Sequence, residues 1–124
     1  MWKRIARAGA TLGAVSGLAI ASAAPASADS PEIWHGDAGY GKFYSYGDYF
    51  YACDRKSDGY GIQVEWYVPG GTAYGKVRDG NGNNGDCVFL NTNLGENRWA
   101  KMQTCLTNSG WLISCTVWQD IWTS

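Results

Sequence analysis

Ile62-Gln63-Val64-Glu65-Trp66-Tyr67-Val68 alternates apolar and polar residues without a break. Successive side chains of an extended chain point to opposite faces. Ile62, Val64, Trp66 and Val68 therefore share one face, and Gln63, Glu65 and Tyr67 share the other. A strand with one dry face and one wet face belongs to an antiparallel sheet packed on one side. Pro69-Gly70-Gly71 closes the run with turn chemistry. Nothing beyond residue 28 has a convincing helical period, and short extended runs recur between Gly, Asn and Asp turns. The pattern predicts an all-β fold, a small antiparallel β-sandwich of six to eight strands or the related small barrel.

Upstream of this strand, Phe43 to Asp54 reads FYSYGDYFYACD, with aromatic residues at both alternating positions. Tyr and Phe favour strands, and Gly47-Asp48 suggests a bulge or kink within one. Lys56-Ser57-Asp58-Gly59 is a turn. Residues 29–42 contain Pro31, three glycines and the apolar pair Ile33-Trp34, with no visible period. They are expected to form an extended lead-in outside a sandwich domain of residues 43–124. Downstream, 98–106 and 111–118 read as two strands joined by Thr107-Asn108-Ser109-Gly110, with Trp99, Met102, Val117 and Trp118 expected in the core.

The N-terminus has the order of an export signal. Lys3, Arg4 and Arg7 precede an uncharged run of small and apolar residues, and Ala26-Ser27-Ala28 is a signal-peptidase site. The run is too short and too rich in Gly, Ala and Ser for a membrane span. Residues 1–28 are accordingly expected to be a cleaved signal peptide, and the mature protein to be secreted and extracellular. Seven of the ten basic residues and all eleven acidic ones lie beyond residue 28, a formal net charge of −4. That balance argues against nucleic acid, whose affinity comes from cations neutralising phosphates. It argues equally against an anionic membrane surface.

A domain this small buries too little surface for comfortable stability, and exported domains compensate with disulfides. Cys53, Cys87, Cys105 and Cys115 are spaced by 34, 18 and 10 residues. Zinc sites use C-x2-C pairs with histidine support, and His35 is the sole histidine, so zinc does not fit. Four cysteines allow three pairings. The favoured one is Cys53–Cys87 across a loop and Cys105–Cys115 across a hairpin. Closing the longer loop would constrain the unfolded chain by roughly 3 to 4 kcal/mol in the chain-entropy model.

Catalytic residues are hard to find. His35 falls in the lead-in, where no rigid scaffold would hold it against a nucleophile. Asp48, Asp54, Asp58 and Glu65 could act as paired carboxylates, but no spacing singles out a pair. Asp79-Gly80-Asn81-Gly82-Asn83-Asn84-Gly85 has oxygen donors at alternate positions, as a calcium loop does, but Leu90 occupies the position of the closing glutamate. The expectation is a non-enzyme with no metal and no cofactor. The informative feature is the aromatic load. Six Trp, eight Tyr and three Phe lie beyond residue 28, more than one small core absorbs. Aromatic residues in excess of a core, on a rigid β scaffold, are typical of binding faces.

The stretches Gly47-Asp48, Cys53-Asp54 with Asp58-Gly59, Asp79 to Asn84 running into Cys87, and Cys105-Leu106-Thr107-Asn108 leading to Cys115 are similar to a family. They resemble the small secreted two-disulfide β-sandwich proteins of Streptomyces-type actinomycetes. One group of these is the small adapter subunit of umbrella toxin particles, which joins a lectin-like subunit to a large toxin subunit. The resemblance implies a non-enzymatic adapter in an extracellular antibacterial complex, binding other secreted proteins or copies of itself. It also implies an extended N-terminus inserted into a neighbour. In this chain that element would be the lead-in, with Ile33, Trp34 and Tyr40 as anchors. Two alternatives stay open. One is a cell-wall or carbohydrate-binding module using Trp and Tyr on sugar rings. The other is a secreted inhibitor or small enzyme.

Overall fold

The computed structural model describes residues 29–71, 73–80 and 85–123. The expected signal peptide, residues 1–28, lies outside them. Nine strands follow one another: β1 Ile33–His35, β2 Gly39–Tyr44, β3 Tyr49–Asp54, β4 Gly61–Tyr67, β5 Tyr74–Asp79, β6 Val88–Asn91, β7 Arg98–Asn108, β8 Trp111–Cys115 and β9 Gln119–Thr123. They form two antiparallel sheets. One has the order β1-β2-β3-β6. The other runs β5-β4-β7-β8, with β9 on the same side of β7 as β8. The all-β class and the two-sheet architecture agree with the alternating pattern.

The strand count exceeds six to eight because residues 29–42 are not a lead-in. They supply β1 and the first part of β2. Ile33 sits opposite Gly41 and is buried in the core, and Ser30 Oγ accepts the Phe43 N–H at 2.7 Å. The alternation was hidden because two inward positions of β2 are glycines. Gly39, Gly41 and Phe43 face in, while Tyr40, Lys42 and Tyr44 face out. A Cβ on Gly41 would meet Val64 and Thr104 of the opposing sheet, so the missing side chain is what admits the second layer. The boundary expected at residue 43 therefore falls inside a strand.

Phe43 to Asp54 likewise contains a hairpin, not a kinked strand. Ser45 to Asp48 form its turn, with Gly47 at φ 90° and Asp48 at φ 53°. The two strands are chemically sorted. Phe43 and Phe50 point inward and are fully buried, whereas Tyr44, Tyr49 and Tyr51 point outward and keep their hydroxyls near water. Phe50 stacks on Trp66 of β4 at 4.1 Å between centroids and 9° between planes, which joins the two layers. Ile62, Val64, Ala100, Met102 and Ile121 complete the centre.

Trp99, Val117 and Trp118 are corrections to the expected core. All three are exposed, and only Met102 of that group is buried. Strand β7 turns Ala100, Met102 and Thr104 inward, so Trp99 must face out, opposite Trp122. Both expected disulfides are present. Cys53–Cys87 continues the β3–β6 ladder, and Cys105–Cys115 joins directly opposed residues of β7 and β8. Two bonds stitch the sheets at their open sides. The Asp54 N–H donates to Asp79 Oδ2 at 3.0 Å, and His35 Nε2 meets Ser114 Oγ at 2.7 Å.

Asp48 pins the hairpin turn to the 92–95 loop. Its Oδ2 accepts the Leu94 N–H and its carbonyl accepts the Thr92 N–H and hydroxyl, while Oδ1 has no hydrogen-bond partner among the described residues. Burial pushes the carboxyl above its ordinary 3.8, the Leu94 bond offsets part of this, and Glu96 adds to it. Because the folded state binds this proton more tightly, the group favours folding below the unfolded-state value and loses that contribution as pH rises through the folded one. Asp48→Asn retains the Leu94 acceptor and should raise the melting temperature at pH 7. The gain should vanish below about pH 3.8 in a pH series of thermal melts. Ile33→Ala, which empties a core position, should cost about 2 to 5 kcal/mol in denaturant unfolding. An unchanged midpoint would show that β1 is dispensable.

Candidate functional site

The register of the four-stranded sheet places three rows of side chains on its outer face. Trp34, Tyr40 and Cys53 form one row. Lys42, Tyr51 and Phe89 form the next, and Tyr44, Tyr49 and Asn91 the third. The rings touch along and across the rows. Trp34 and Tyr40 lie 4.9 Å apart, Tyr44 and Tyr51 4.9 Å, Tyr51 and Phe89 5.5 Å, and Tyr49 and Phe89 5.9 Å. Phe89 is 56% exposed and Trp34 43%. Each such pair contributes about 0.5 to 1.5 kcal/mol beyond area burial, so the array is rigid before any partner arrives.

Two cations sit over the rings. Lys42 Nζ lies 4.7 Å from the centre of Tyr44, and the Arg55 guanidinium 5.5 Å from that of Tyr40. The Tyr44 side chain holds the Lys42 ammonium above its usual range, against a smaller cost of burial. Arg55 also donates to the Tyr40 hydroxyl at 3.3 Å. A hollow of about 280 Å³ opens beside the Cys53–Cys87 bond, between Tyr40, Lys42, Tyr51 and Asp86. The surface thus carries two aromatic clusters with positive charge over each, next to a shallow socket.

Of the three expected anchors, the structure brings Trp34 and Tyr40 together on this face. Ile33 points the other way into the chain's own core, because neighbours in a strand face opposite sides, and it is not available to a partner. Phe89, Tyr51 and Tyr44 were missed as members of one face. Tyr44 and Tyr51 could have been grouped once Phe43 and Phe50 were assigned to the opposite side. Phe89 could not, since β6 joins β3 across 34 residues.

The outer face of the five-stranded sheet carries a second feature. Tyr67, Tyr74, Glu65, Lys76 and Trp118 line a cleft of about 460 Å³. Trp118 meets the Tyr67 ring edge-on at 4.8 Å. Gln63 Nε2 donates to Glu65 Oε1 and Gln103 Nε2 to Oε2, both at 2.9 Å. Glu65 also lies beside the Cys105–Cys115 sulfurs, but sulfurs joined in a disulfide offer no thiolate to a metal. Much of the loop weighed for calcium lies outside the described residues, and Asp79 is engaged with the Asp54 N–H.

His35 has a partner that the sequence did not suggest. Its contact with Ser114 matches the distance of a nucleophile–base pair. The pair is exposed, and among the described residues no carboxylate is hydrogen-bonded to the other ring nitrogen. The contact acts as a bridge between β1 and β8. Compared with known proteins, the chain matches no family model, no curated protein and no solved structure. The two disulfides are consistent with an extracellular protein.

Substituting either member of the bridge checks this account. His35→Ala and Ser114→Ala should each alter stability by less than about 1 kcal/mol, the usual worth of an exposed hydrogen bond. A fluorophosphonate probe should leave the intact mass unchanged. Labelling of Ser114 that disappears in His35→Ala would identify a hydrolytic site.

Proposed function

We propose that the chain is a secreted, non-enzymatic interaction module that binds other proteins through the outer face of its four-stranded sheet. The observation that carries this reading is the pair of ring clusters on one sheet face, Trp34 with Tyr40 and Tyr44, Tyr49, Tyr51 with Phe89, overlaid by Lys42 and Arg55. Tyr, Trp, Phe and Arg are the side chains that protein interfaces concentrate at their energetic centres. Stiff rings lose little conformational freedom on binding, and these already hold one another in place. The resemblance to actinomycete adapters makes the concrete role a connector between secreted subunits of an antibacterial toxin complex. The export signal of residues 1–28 and the two disulfides support that setting.

The mode of attachment differs from an inserted lead-in. Residues 33–44 are committed to the sheet, so the connector would present a preformed surface instead of threading a tail. Recognition of this kind depends on a few buried rings, and single truncations at the centre cost more than 1 kcal/mol.

Co-purification from the culture medium of the native secreting cells, followed by native mass spectrometry, tests the reading. The tagged chain should carry secreted partner subunits. Trp34→Ala and Phe89→Ala should each weaken the complex at least tenfold while moving the melting temperature little, since neither ring belongs to the core. Complexes that survive the double variant would remove this face from the proposal.

A further inference from the structure

The cleft on the opposite side of the sandwich is the second feature built to hold something. We infer that it is a subsite for a neutral sugar unit of an oligosaccharide, separate from the protein-binding face and independent of that reading. Its aromatic wall is Tyr67 with Trp118 set edge-on against it, and Tyr74 stands at the mouth, directly across the strand from Tyr67. Tyr74 is 83% exposed and Trp118 41%, so both rings are available.

The polar part is preorganised. Gln63 and Gln103, each buried, grip one oxygen apiece of the Glu65 carboxylate and fix its plane. An ionised carboxylate accepts only, so each oxygen keeps a further lone pair for a ligand donor. Lys76, the cross-strand neighbour of Glu65 on β5, supplies donors beside it. Trp118 is fixed by what precedes it. The Cys105–Cys115 bond holds β8 to β7, and Thr116 exchanges hydrogen bonds with Thr104 at 2.9 and 3.0 Å.

Charge and topology select the ligand class. An anion would face Glu65, and a cation would face Lys76, so a neutral ligand fits both. An extended peptide reads a sheet through unpaired backbone groups. Here β4 is paired on both sides, by β5 and β7, so Glu65 and Tyr67 present side chains on the sheet face and not at the free edge of β5. The required ligand is uncharged, has an apolar face for the rings, and carries hydroxyls that both donate and accept. A pyranose ring has all three properties. The cleft volume lies within the range of small-ligand sites, which combine apolar walls with a few fixed polar groups.

A glycan array probed with the purified chain, followed by calorimetric titration with cellotetraose and chitotetraose, tests the inference. At least one neutral oligosaccharide should bind and perturb tryptophan fluorescence. Trp118→Ala and Tyr74→Ala should each reduce its affinity at least tenfold with the melting temperature held. Trp34→Ala and Phe89→Ala, on the other face, should leave it unchanged. Failure of every neutral glycan to bind, binding confined to charged glycans, or binding that survives both cleft variants would overturn it. The protein-partner reading would stand in each case, because its variants lie on the opposite sheet.

Discussion

Gly39, Gly41 and Gly75 each face a large side chain, and the fold depends on their lack of bulk. Gly39 and Gly41 of β2 lie under Ile62 and Val64, and Gly75 lies beneath the ring of Trp66 on the neighbouring strand. A Cβ on Gly39 or Gly41 would press on Ile62 or Val64 of the opposing layer, and one on Gly75 would displace the Trp66 ring from its stack on Phe50. An aromatic ring laid over an edge-strand glycine also covers backbone that would otherwise be weakly packed. The core is therefore matched by shape across the sheets, with small residues opposite large ones.

The same constraint organises the exterior. With the inward positions filled by Gly, Ala and Phe, the tyrosines of β2 and β3 have one place left, the solvent side. The chain thus separates its apolar and amphipathic aromatics by face. Phe43, Phe50 and Trp66 are used for cohesion, and the tyrosines with Trp34, Phe89 and Trp118 for surface. The two outer surfaces differ in kind. One carries two clusters of rings under positive charge, and the other a cleft around a carboxylate held by two glutamines.

Much of the scaffold was legible where the period-two signal was carried by large residues. Ile62 to Val68 showed which face of the central strand is buried, and cysteine spacing pointed to both disulfides. The signal failed where glycine occupied the inward positions, so β1 and β2 read as a tail. It failed again where an apolar residue faced out, so Trp99 and Trp118 read as core. The binding surfaces were legible only as an excess of aromatics. Their grouping depends on strand order, which brings Phe89 beside Tyr51 and Trp118 beside Tyr67, and no local pattern encodes that order.

The far side of β7 is covered by two short strands instead of one long one. β8 runs to Cys115, the chain leaves the ladder at Thr116 to Trp118, and β9 resumes at Gln119. Trp111, Leu112 and Ile113 on β8 are all exposed, and a straight edge bearing them would be a template for adding further chains. The interruption limits any such docking to a few residues and breaks its register before β9. The chain can in this way display an apolar rim without offering a long edge to further copies. The detour that carries Trp118 to the cleft also keeps the sheet from growing.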